Sequence, residues 1–242
     1  MSPSYILVFD TSMNACSAGI YETQTDRMLA SAHEPMIRGQ AERLIPLIDD
    51  ILYDSSINDE DLSAIACTNG PGAFTGLRVG IATAKALSLS LSIPAIGIST
   101  LDVIGSEFQQ TQHPDNAYLV CLETKRDDYY TQLFAPDGTP LSDKAALEIE
   151  QLYDLFEKNN IHNANIVGDA TVRFGTEFTE YNTNLAAQIA YTTHEIISTN
   201  CLFLAKNAYF KLREKENEKK PLINILPLYL KKPNITISSP QG

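Results

Sequence analysis

Apolar runs and helical-period stretches alternate along the chain. Residues 5–9 (Tyr-Ile-Leu-Val-Phe) form a continuous apolar run ending at Asp10, the pattern of a strand buried on both faces. The polar turn Thr11-Ser12-Met13-Asn14 follows, then strands at 15–21 and 27–33, so the chain is expected to open with a three-stranded meander. Ala41, Leu44, Ile45, Ile48, Ile51 and Leu52 then recur at i, i+3, i+4, i+7, i+10 and i+11, one face of a helix. Pro46 lies inside that pattern and predicts a kink, or a start nearer the proline. A strand at 62–68 runs through a Gly-Pro-Gly turn into a long apolar helix at 74–91. A strand at 94–98 and a helix capped by Ser99-Thr100 complete the first half.

The polar connection at 110–116, containing Pro114, is the expected domain boundary. Beyond it the opening is repeated: an apolar strand at 117–122, a charged turn, and a strand at 129–134. The turn Pro136-Asp137-Gly138, a helix at 147–158, a strand at 164–167 ending at Gly168-Asp169, and an amphipathic helix at 202–212 follow. Residues 213–220 read as a charged helix end or linker, and 226–232 as an apolar, Tyr-containing tail. Two halves that begin alike suggest an architectural duplication, with no repeat at the level of sequence.

Two features of the first half bear on function. The turn Gly70-Pro71-Gly72 leaves unpaired N–H groups at a helix start, which suits an anion. It is neither G-x-G-x-x-G nor a loop carrying Gly-Lys-Ser/Thr. Along the helix that follows, Gly76, Gly80, Ala84 and Ser88 repeat every four residues. Glycine within a helix costs about 1 kcal/mol against alanine. The stripe therefore predicts close approach of another backbone, from a partner or from the same chain.

Composition narrows the partners. The chain of 242 residues is 44% hydrophobic and carries a formal charge of −12. That charge speaks against binding nucleic acid through its own surface; if RNA is involved, another chain is expected to supply the positive surface. Cys16, Cys67, Cys121 and Cys201 are scattered and form no Cys-x-x-Cys pair, which predicts reduced, buried thiols. No basic-then-apolar leader and no run of about 18 apolar residues is present, so a cytoplasmic protein without a membrane partner is expected.

Three groups of residues carry a resemblance. They are Val8-Phe9-Asp10-Thr11-Ser12 with Ala15-Cys16-Ser17, the stretch from Asn69-Gly70-Pro71-Gly72 to Leu77-Arg78-Val79-Gly80, and Gly97-Ile98-Ser99-Thr100-Leu101. In that order and spacing they resemble the bacterial TsaB (YeaZ) proteins, and the late Pro227-Leu228-Tyr229-Leu230-Lys231 is similar to that family's C-terminal signature. The match is dense over the first hundred residues and thin from 110 to 226. It implies an α/β, actin-like ATPase (ASKHA) fold with two lobes of mixed sheets and flanking helices, the second lobe reduced. The lobes are expected at 1–110 and 111–225, with 226–242 returning to the first.

The resemblance also implies a non-catalytic partner of the paralogous TsaD. With the ATPase TsaE, these proteins serve to place threonylcarbamoyl on N6 of the adenosine beside the anticodon of tRNA. Members pair through first-lobe helices, with TsaD or as homodimers, and tRNA is met indirectly through the complex. On this reading Ala41, Leu44, Ile45, Ile48, Gly76, Gly80 and Ala84 are the expected partner contacts.

Catalytic relatives hold a metal with a His-x-x-x-His pair on the first long helix, where i and i+4 share a face. Here that region reads Gln40-Ala41-Glu42-Arg43-Leu44, and His33, His113, His162 and His194 include no pair four apart. No catalytic residue and no metal site is expected. Asp10, Thr11, Ser12, Gly70 and Gly72 form a candidate vestigial nucleotide site, leaving room for weak or shared ATP or ADP binding although no cofactor is required. Capping of its own turn is the simpler role for Asp10. The segment from Lys125 to Tyr130 reads as a solvated hairpin tip or a contact for a partner or the tRNA. The rival readings are a weak ATPase or peptidase-like enzyme, and a self-associating homodimeric regulator.

Overall fold

The computed structural model describes residues 4–183, 188–218 and 225–230. Two five-stranded sheets repeat one topology. In the first half β1 (Tyr5–Asp10), β2 (Ala15–Glu22) and β3 (Arg27–Pro35) form an antiparallel meander. Helix α1 (Gln40–Ser55) leads to β4 (Ala64–Gly70), α2 (Phe74–Leu91) to β5 (Ala95–Ser99), and α3 (Thr100–Gln112) closes the half. β4 and β5 pair in parallel with β1 and with each other, giving the order β3-β2-β1-β4-β5.

The second half runs in the same sequence: β6 (Tyr118–Glu123), β7 (Tyr129–Phe134), β8 (Ala145–Leu147), α4 (Ile149–Lys158), β9 (Asn163–Gly168), α5 (Thr171–Thr183), β10 (Ala190–Glu195) and α6 (Cys201–Glu218). Its sheet order, β10-β9-β6-β7-β8, is that of the first sheet read from the other edge. The second half keeps every strand and α-helix but shortens several of them. β8 has 3 residues, and α4 and α5 have 10 and 13 against 16 and 18 in α1 and α2.

Sequence explains most of these elements. The core strands β1 and β4 are buried nearly end to end, as their unbroken apolar runs require. Helix α1 runs through Pro46 rather than starting at it. The proline stands on the exposed side, where water can reach the Glu42 carbonyl that loses its helical donor. β8, α5 and β10 were not foreseen; they are short or polar, and β10 reads Ala-Tyr-Thr-Thr-His-Glu on a largely exposed edge.

The last helices of both halves pack across the boundary, α3 against both sheets and α6 against the first. Leu101, Ile104 and Phe108 of α3 pack with Tyr118, Val120 and Phe134 of the second sheet. Leu204, Ala205, Ala208 and Leu212 of α6 pack with Ile6, Val8 and Ala66 of the first. The expected boundaries placed 201–218 with the second lobe, but its apolar face covers the first sheet. On the opposite face of that sheet α1 and α2 enclose a core that includes Leu44, Ile48, Ile81 and Ala84. Ile225 joins that core, and Leu228 N–H donates to the Asn69 carbonyl at 2.7 Å, so residues 225–230 lie along the end of β4. The rest of the expected tail, 231–242, lies outside the described residues, as do 219–224.

Candidate functional site

The carboxylate at the end of β1 is engaged on both oxygens inside the chain. Asp10 is buried; its Oδ1 accepts from the Ser12 N–H at 2.8 Å and from the Thr68 hydroxyl, and its Oδ2 accepts from the Thr199 hydroxyl at 2.6 Å. The first bond closes an Asx turn and reverses the chain after β1. The others tie β1 to β4 and to the segment entering α6. The Ala73 N–H donates to the Ser12 carbonyl at 2.7 Å, and the Ser12 and Thr100 hydroxyls lie 3.3 Å apart. Asp10, Thr11, Ser12 and Gly72, four of the five candidate nucleotide residues, are thus brought together by contacts with one another and with their neighbours. The fifth, Gly70, sits at φ 110° beneath the Leu228 carbonyl.

The small-residue stripe finds its neighbour in the same turn. A Cβ on Gly76 would strike the Thr11 carbonyl oxygen, one on Gly72 would strike that of Ser12, and one on Gly80 would lie 2.8 Å from the Thr11 hydroxyl. Five of the seven expected partner contacts are therefore corrected: Gly76, Gly80, Ala84, Leu44 and Ile48 are buried within the lobe, leaving Ala41 and Ile45 exposed. The apolar period of a helix marks the face turned to its own sheet. A partner surface on α1 and α2 has to use their other faces.

Those faces are apolar in places. Tyr53 is 86% exposed, Leu89 83% and Ile45 45%. Between the helices runs a groove of about 590 Å³, floored by Ile48, Leu52, Leu87 and Leu91 and rimmed by Ile45, Tyr53, Asp49 and Asp59. On α1 the exposed charges are mainly acidic, Glu42, Asp49, Asp50 and Asp54, whereas α2 carries Arg78 and Lys85 and no acid.

Where catalytic relatives would place imidazoles, α1 carries an ion pair. Arg43 reaches Glu34 of β3 at 2.7 Å and Asp50 at 2.9 Å, and its hydrogen bonds hold the Glu34 carboxyl below the usual carboxylate range. His33 Nδ1 lies 2.8 Å from the Ser17 hydroxyl, and His194 packs edge-on against Phe108, while His113 caps α3. Among the described residues no group of three or more His, Cys, Asp or Glu is arranged to hold a metal. The four cysteines are buried and unpaired, and burial pushes the Cys16 thiol up to about 11 and that of Cys201 up to about 12.

Comparison with known proteins places the chain. The family model for the tRNA N6-adenosine threonylcarbamoyltransferase TsaD matches residues 34–239. The tRNA threonylcarbamoyladenosine biosynthesis protein TsaB of Buchnera aphidicola (Schizaphis graminum) is 30% identical over 157 residues, covering 63% of this chain and 73% of that protein. The chain belongs to the TsaB family.

TsaB of Escherichia coli is 40% identical over 97 residues, which is 40% of each chain. YeaZ from Pseudomonas aeruginosa superposes with a TM-score of 0.75 over 94% of this chain and all of its own, at 23% identity. A ROK hexokinase from Thermus thermophilus superposes with a TM-score of 0.50 over 86% of this chain and 99% of its own. The two mixed sheets with flanking helices are therefore an actin-like ATPase fold. No helix among the described residues is long and apolar enough to cross a membrane.

Within this TsaB-family lobe pair, sequence reasoning missed Arg173. Its guanidinium lies 3.8 Å over the Tyr129 ring, with Nε 3.0 Å from Glu123 and two further bonds to the carbonyls of Arg126 and Asp128. It fixes the hairpin tip at 125–130, where Arg126 also meets Asp128 at 3.3 Å. Its one local partner is Glu177 at i+4, 3.7 Å away, and the hairpin groups it holds lie 44 to 50 positions away, beyond any local pattern. Tyr53 and Leu89 did carry a signal: they are apolar residues off the core-facing period.

Proposed function

We propose that the chain is a non-catalytic subunit of the machinery that makes threonylcarbamoyladenosine in tRNA. It holds the paralogous transferase TsaD, in company with the ATPase TsaE, through the outward face of α1 and the C-terminal end of α2. The observation that carries this reading is that Ile45 and Tyr53 stand exposed at the rim of an apolar groove, with Leu89 exposed on α2. Exposed apolar surface of this kind, rimmed by polar groups, marks an interaction site. The names of the relatives support the pathway, and the Arg43 ion pair in place of an imidazole pair supports a role without metal chemistry.

Size-exclusion chromatography with light scattering, of the chain alone and with TsaD of the same genome, tests the reading. A heteromer is expected for the wild type and not for Tyr53→Asp combined with Leu89→Glu, with the thermal midpoint of the variant unchanged. A heteromer that survives both substitutions overturns the interface. A homodimer through the outward face of α1 would compete with TsaD for Ile45 and Tyr53. Light scattering of the chain alone reads that state directly.

A further inference from the structure

Charge is unevenly spread along this chain. Residues 62–101 contain none of the 30 Asp and Glu but two of the 18 Lys and Arg, Arg78 and Lys85. That is the longest acid-free stretch in the sequence, and residues 226–229 lie against it. Besides the Leu228 bond to Asn69, Asn69 Nδ2 donates to the Leu226 carbonyl at 3.1 Å. At this junction the Arg78 guanidinium lies 3.8 Å from the centre of the Phe74 ring, and the Tyr229 ring is 6.3 Å from that of Phe74. Phe74 and Tyr229 are 53% and 55% exposed. Phe74, Arg78 and Lys85, at i, i+4 and i+11, project within about 40° of one line along α2.

We propose that this surface binds single-stranded RNA, with unpaired bases stacked on Phe74, Tyr229 and the Arg78 guanidinium and phosphates facing Arg78 and Lys85. Half-exposed rings beside a planar cation are what an unstacked base recognises, and every base has a π-face to offer them. Arg78 and Lys85 face the phosphates from a helix that carries no acid of its own. An acidic protein would meet the two cations but leave two neighbouring half-exposed rings without a role. The proposal revises the expectation that another chain supplies all the RNA contact. It rests on the tRNA reading above, in which the modified adenosine adjoins the single-stranded anticodon.

Fluorescence anisotropy of the full chain with a labelled, unmodified anticodon stem-loop RNA tests it, with unlabelled single-stranded RNA, RNA duplex and polyglutamate as competitors. Binding at 50 mM salt should be displaced by single-stranded RNA and resist duplex and polyglutamate. Arg78→Ala, and Phe74→Ala with Tyr229→Ala, should each weaken it by about fivefold or more while circular dichroism stays unchanged. Arg78→Ala should also flatten the logarithmic salt slope by about 0.7. No binding by the wild type, unchanged binding by both variants, or equal displacement by polyglutamate overturns the proposal. The same variants belong in the light-scattering assay with TsaD. Loss of the heteromer with RNA binding intact makes the surface a protein contact and overturns the RNA proposal. RNA binding that needs these residues, in a wild type that forms no heteromer, leaves the RNA surface standing and removes the assembly reading.

Discussion

Gly76 and Thr11 are joined in two ways. The Thr11 hydroxyl donates to the Gly76 carbonyl at 2.7 Å, and the Thr11 carbonyl oxygen occupies the space that a Cβ on Gly76 would need. Glycine at this helical position is therefore a condition of folding the first lobe. Gly76→Ala is expected to cost about 3 kcal/mol, because backbone rather than a side-chain end has to move. Gly80→Ala meets only the Thr11 hydroxyl, and the better helix propensity of alanine offsets part of the strain. Urea denaturation of the two variants should rank Gly76→Ala well below Gly80→Ala; the reverse order would refute this account of the stripe.

Asp10 holds three strands of the argument together: its own turn, β4 through Thr68, and the approach to α6 through Thr199. Removing the carboxylate leaves two hydroxyls and an N–H without their acceptor in a buried place, where each unmet group costs about 1–3 kcal/mol. Asp10→Ala should lower stability by about 3 kcal/mol or more. Asp10→Asn keeps one acceptor oxygen and should lose less. Equal stability of Asp10→Ala and the wild type would show that the carboxylate serves something other than the fold.

The first lobe was legible because its strands are buried on both faces and its helices have strong periods. The meander, β4, α2 and β5 follow from apolar runs such as Ile6 to Phe9 and Ile65 to Cys67. The second lobe was less so, since β10 reads Ala-Tyr-Thr-Thr-His-Glu, an edge strand with no apolar run. The site divided in the same way. Sequence identified α1 and α2 but chose their buried faces, because periodicity reports the core and not the partner. The packing of α6 on the first sheet and of α3 between the sheets, and the Asp10–Thr199 bond across 189 positions, are tertiary facts with no local sign.

The cysteines give a direct test of burial. Cys16, Cys67, Cys121 and Cys201 are all enclosed, and desolvation lifts every thiol above its usual range. At pH 8 the thiolate is scarce and access is blocked, so a thiol reagent should label none of them on the timescale that labels all four in urea. Rapid labelling of any one in the native protein would show that the region around it opens readily.

Glu107 sets a pH dependence opposite to that of a paired carboxylate. It lines a cavity of about 350 Å³ with Ser17, His33, Asn200 and Cys201, and its buried Oε2 has no hydrogen-bond partner among the described residues. Burial raises its pKa, and a hydrogen bond with Asn200 opposes the shift. The folded chain then binds this proton more tightly than the unfolded chain. As pH rises past about 4.3, the unfolded form ionises first and gains, so this group's contribution to stability falls until the folded form has also ionised. Above that point the cost of the buried charge is fully present. Glu107→Gln removes the charge and keeps the shape, so it should be more stable than the wild type at pH 8, with the gap closing towards pH 4. Denaturation midpoints for both proteins across that range decide it. A gap that is constant with pH, or that opens in the acid direction, would mean that Glu107 is not held as a desolvated carboxyl.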